Sequence, residues 1–188
     1  MPVLPSAAAS INLKSENLGG SNVHEANSWV VVQFEQTAPL PTPADAELIL
    51  KLYDLRREAE MRKARNWWVG AFWPQNADEV AKIASALGTQ ENNWLRQVGG
   101  YWEMAASLVL HGALNEDLFL EGSFSGEMFF IFAKVRPFLK ELREKMQAPK
   151  LFGNVEKLIN NSQKGRDILK TVEERIAARR KAMAEAAA

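Results

Sequence analysis

The 188-residue chain has no cysteine, two histidines and two tyrosines, and equal numbers of acidic and basic side chains. Without cysteine there is no disulfide and no thiolate metal site, which accords with a reducing compartment. With only His24 and His111, an imidazole-rich metal centre is excluded. Zero formal net charge leaves the molecule as a whole no electrostatic reason to seek nucleic acid. No run approaches the roughly 20 apolar residues that span a bilayer. The N-terminus also lacks the basic and apolar regions of a signal peptide. A cytoplasmic protein is therefore expected. Serine, threonine and lysine stand in no nucleophile motif, and no glycine loop suits phosphate. Neither a cofactor nor a catalytic residue is implied.

What is present is helical periodicity. Leu95, Val98, Trp102, Ala105, Val109 and Gly112 recur at alternating three- and four-residue steps, the spacing of one helix face. Met128, Ile131, Val135, Leu139, Leu142 and Met146 repeat it. Between them His111-Gly112 and Glu121-Gly122 mark turns. The length suits one core. The fold expected is all-α, an irregular single-domain bundle of about five to seven helices. Residues 1–28 read as a disordered arm, 29–43 as an extended connector, 44–162 as the helical domain and 163–188 as a C-terminal helix. The one β-prone run, Trp29 to Phe34, has no partner strand. Charge is uneven: residues 1–48 hold one lysine against five carboxylates, net −4, whereas residues 163–188 are net +3.

Local signals place the elements. Thr42-Pro43-Ala44-Asp45 is a helix start with a capping hydroxyl and proline at the first position. That helix should run to Trp68 or Phe72, burying Leu48, Leu52, Leu55 and Ala59 and leaving Arg56 to Lys63 wet. Asn76 and Thr89 cap the next two helices, and Asn115-Glu116-Asp117 opens a brief helical turn. Gly99-Gly100 costs roughly 1 kcal/mol per residue relative to alanine in a helix interior and suggests a kink or a close crossing. Ser123 or Ser125 should cap the following helix, and Pro137 should kink it near Val135.

Tyr101-Trp102-Glu103-Met104-Ala105-Ala106-Ser107-Leu108-Val109, with Gly112, Leu114, Glu116 and Asp117-Leu118-Phe119, forms one recognisable pattern. Val135-Arg136-Pro137-Phe138-Leu139 with Arg143 forms another. Together they resemble an uncharacterised bacterial helical family, a domain of unknown function, over roughly Arg57 to Ile159. The resemblance implies a helical bundle and supplies no reaction. Many relatives carry an N-terminal membrane helix, from which this chain departs.

Two groups of residues are candidates for function. Arg62, Lys63, Arg65, Trp67, Trp68 and Trp73 place three cations beside three indoles. Such a segment suits a protein partner or an anionic membrane surface, and less readily a nucleic acid. The plainer alternative has the indoles in the core and the cations in water. Trp102, Glu103 and Arg136 form a candidate pocket, with Arg96 and Arg143 as further partners for Glu103. A Glu–Arg pair there would either fix helix register or line a site. His111 ends a helix, where a cation meets the negative dipole end. The expected function is a non-enzymatic protein-interaction or scaffold module of unknown pathway, acting on an unknown protein partner or by self-association. The alternatives are a peripheral membrane protein using Arg62–Trp73, then an enzyme with a Glu103-centred pocket.

Overall fold

A computed structural model of the chain describes residues 39–187. The expected arm over 1–28 and the extended run at Trp29–Phe34 lie outside the described residues. Among the described residues there is no strand. The helices are α1 (Pro43–Arg57), α2 (Ala59–Asn66), α3 (Ala77–Ser85), α4 (Gln90–Leu110), α5 (Glu116–Phe119), α6 (Gly122–Val135), α7 (Leu139–Lys145), α8 (Gly153–Asn161) and α9 (Gln163–Ala187). They exceed the expected five to seven because two long patterns are each interrupted and α5 is a single turn.

The first interruption separates α1 from α2. Glu58 leaves the helical region with ψ 144° and its carboxylate accepts the Met61 N–H at 2.8 Å, so it caps a new helix where the pattern predicted one continuous rod. Arg56 is buried, against the expectation of a wet middle, while Leu55 and Ala59 are exposed. Leu48, Ile49, Leu52 and Arg56 make the inward face instead. Beyond α2 the chain widens into one π-helical turn over Trp67–Ala71, closed by the Phe72 N–H donating to the Trp67 carbonyl at 2.9 Å.

The caps fall largely where the sequence put them. Thr42 and Asp45 form a reciprocal capping box. Asn76, Thr89 and Asn115 each accept an N–H in the first turn of α3, α4 and α5. The serines do not cap α6: it begins at Gly122, and the buried Ser125 hydroxyl donates to the Glu121 carbonyl inside it. Pro137 does interrupt its helix, in a 3-10 turn over Arg136–Phe138 that divides α6 from α7. Gly99-Gly100 produces no break, for α4 is continuous through both.

α4 and α6 form the centre. α4 packs on α2 and α8, α6 packs on α9, and α3 lies against α4 and α7. Trp102, Phe119, Phe129, Phe132, Leu142 and Leu158 are fully buried between them.

Candidate functional site

An open cavity of about 480 Å³ lies between α3, α4, α7 and the N-terminus of α8. Its floor is apolar and inaccessible: Trp68, Val80, Leu142 and Phe152 are all buried. Its mouth carries exposed Arg96 and Lys150 beside Leu87. Gly99, Gly100 and Glu103 continue the α4 wall.

Each wall has a local cause. The π-helical turn inserts one residue and turns the Trp68 indole inward, edge-on to Phe72 at 5.1 Å, while Trp67 stacks on Phe72 at 4.4 Å. The Trp68 indole N–H is buried without a partner among the described residues, a loss of about 1–3 kcal/mol. Phe152 holds a left-handed backbone, φ +53°, at the start of α8, strained for a residue of this size. It offers no capping side chain. Glu103 of α4 replaces that cap, accepting the Val155 N–H at 3.0 Å and the Asn154 N–H at 3.2 Å. The carboxylate thereby meets the positive end of α8.

This geometry separates the residues expected to share a pocket. Of Trp102, Glu103 and Arg136, only Glu103 lines the cavity. Trp102 is fully buried on another face of α4, its indole N–H donating to Glu127 at 3.3 Å. Arg136 is exposed and pairs with Glu173 of α9 at 2.5 Å. Arg143 binds the Leu151 carbonyl and Glu156. The reason is the helical phase: Trp102 and Glu103 are adjacent and point about 100° apart.

The basic-aromatic segment is likewise dispersed. Trp68 is core; Trp67 and Trp73 are half-buried against Phe72 and Phe130. Lys63 pairs with Glu60 and Arg65 with Glu127. Arg62 is exposed and has no ion pair among the described residues. His111 follows α4 and its Nδ1 lies 2.8 Å from the Ser107 carbonyl.

Two buried charges escaped the sequence reading. Glu127, its side chain 9% exposed, meets Arg65 at 2.7 Å and Arg56 at 3.5 Å. The Arg56 guanidinium also donates to the Phe124 carbonyl and lies over the Trp102 ring. Lys134, fully buried, donates to the Trp68 carbonyl at 2.6 Å and lies 4.0 Å from the centre of the Trp73 ring. Burial, with the Arg180 guanidinium adding to it, pushes the Lys134 ammonium down to about 7. The signal was available: Glu127 and Lys134 are the only charges in the apolar run from Phe124 to Val135, and they stand seven apart on one helix face. Among the described residues no group of three or more His, Asp or Glu side chains could hold a metal ion, and no helix is long and apolar enough to cross a membrane.

The family model described as a domain of unknown function (DUF4760) matches residues 41–162, and the chain belongs to that family. No curated protein and no solved structure matches it.

Proposed function

We propose that the protein is a non-enzymatic interaction module whose recognition site is the cavity between α3, α4, α7 and α8. The observation that carries this reading is a preformed apolar recess of about 480 Å³, within the size range of ligand sites, whose lining places no nucleophile beside a base. Among the described residues no serine, threonine, histidine or aspartate lines it, and its single carboxylate, Glu103, is engaged by two backbone N–H groups. A nucleophile needs an adjacent base, and a general acid or base needs a free proton site. The lining supports binding over turnover.

The test is to fill the recess. Gly100 lines the recess and a Cβ there meets nothing within 4 Å, so a larger side chain can start into the open space. Affinity capture from the source cell with wild-type protein and with Gly100→Leu should differ by loss of the specific partner set from the variant. Identical partner sets would remove the cavity from the function.

Membrane binding through Arg62–Trp73 draws less support, because Trp68 is core and two of the three cations are paired within the chain. Salt-sensitive co-sedimentation with anionic vesicles, lost in Arg62→Gln, would restore it.

A further inference from the structure

We infer that the cavity takes an aliphatic monocarboxylate of medium chain length, the chain lying in the recess and the carboxylate at its mouth beside Arg96 and Lys150. This rests on the reading of the cavity as the recognition site and names what is recognised.

Four observations converge on this chemistry. Protein interiors are close-packed and leave few voids larger than a water, yet about 480 Å³ is left open here over a floor of Trp68, Leu142 and Phe152. The openness is maintained at a cost. Gly99 and Gly100 sit mid-helix, where glycine is unfavourable, and neither has the positive φ found at Gly88 and Gly112. Close packing does not require them either: a Cβ at Gly100 would meet nothing within 4 Å, and one at Gly99 only the Phe152 ring at 3.8 Å. Side chains at these positions would instead occupy the α4 wall of the recess.

Charge selects the head group. Arg96 and Lys150 have no ion pair among the described residues, whereas Glu103 is spent on the α8 N–H groups. The mouth therefore presents a net positive charge, two cations against the one carboxylate that the α8 N–H groups hold. The walls select the tail. α3, α4 and α7 satisfy their backbone groups internally, so no strand edge awaits an extended peptide. A hydrocarbon chain asks for none.

The experiment is calorimetric titration of the full chain with hexanoate through dodecanoate, kept below their micellar concentrations. Affinity should rise about fourfold per added methylene and level off once the recess is full. Decanol and decylamine should bind roughly tenfold or more weakly than decanoate, the size of a charge-assisted contact. Gly100→Leu should abolish binding without lowering the melting temperature, and Gly99→Ala should weaken it. Arg96→Gln with Lys150→Gln should erase the preference for acid over alcohol and leave the alcohol's affinity in place. Absence of binding by every alkanoate, or binding indifferent to Gly100→Leu, or equal affinity for acid and alcohol, overturns the inference. If alkanoates fail while partner capture still depends on Gly100, the ligand class is wrong and the cavity reading stands. If both fail, neither stands.

Discussion

Glu127 joins four helices through one carboxylate. It is carried on α6, receives Arg56 from α1 and Arg65 from α2, and accepts the indole N–H of Trp102 from α4. Burying an ion is costly, so such a cluster fixes geometry more surely than it adds stability. Glu127→Ala should destabilise by about 3–5 kcal/mol, because the Arg56 guanidinium would be left buried and unpaired. The double variant Arg56→Met/Glu127→Leu should cost less than Glu127→Ala alone, and urea melts that rank them the other way would contradict this account. Lys134 is a different case, since its folded-state value near 7 lies below the ordinary 10.5. Between those values the unfolded chain binds more protons than the folded one, so stability rises with pH. Below about pH 7 the burden of the buried ammonium is fully present. Relative to Lys134→Met, the wild type should gain up to about 1.4 kcal/mol per pH unit from pH 7 toward 10. Parallel pH profiles for the two proteins would show that the amine does not titrate in this window.

At the scale of elements, local signals were legible and tertiary ones were not. Thr42, Asn76, Thr89 and Asn115 cap helices because a short side-chain oxygen reaches an N–H within its own turn, and that can be seen in sequence. Pro137 announces its break for an equally local reason. The break at Glu58 was hidden because glutamate is ordinarily a good helix former, and the insertion at Trp67–Ala71 because nothing in the pattern marks a π-helical turn. The capping of α8 by Glu103 spans 51 residues and has no local signature at all. That is why Glu103 could be singled out from its apolar surroundings while its partners, sought among arginines, were misassigned. Gly165 is a second tertiary requirement. Its position in α9 passes so close to α8 that a Cβ would lie 2.5 Å from the Ile159 carbonyl oxygen. Gly165→Ala should therefore destabilise by about 1–3 kcal/mol, although alanine is the better helix former. A rise in melting temperature would mean that α9 does not approach α8 this closely.

For the whole molecule, the folded unit extends past the family match. The match ends at residue 162, just before α9. Yet α9 buries Leu169 and Ile176, packs along α6 and α8, and sends Arg180 to the carbonyls of Pro74 and Lys134. The class of fold was visible in sequence because helical periodicity is repeated along the whole domain. The cavity was not, because its lining is assembled from five separate segments between Trp68 and Phe152, and only packing reveals that Gly100 faces empty space. The packing of α9 yields a sharp contrast between truncations. A chain ending at Ser162 keeps every residue of the family match but uncovers the α6 face that Leu169 and Ile176 shield. Fully burying each such side chain is worth about 1.5–3 kcal/mol, so losing both removes a large share of the 5–15 kcal/mol that holds an ordinary domain together. That chain should melt far lower or fail to accumulate in soluble form. A chain ending at Lys181 should behave as wild type, since residues 181–186 are exposed and Arg180 is retained. Circular dichroism melts of the two truncations decide the matter: equal melting temperatures would make α9 an appendage, and a collapse confined to the shorter chain would make it the last helix of the core.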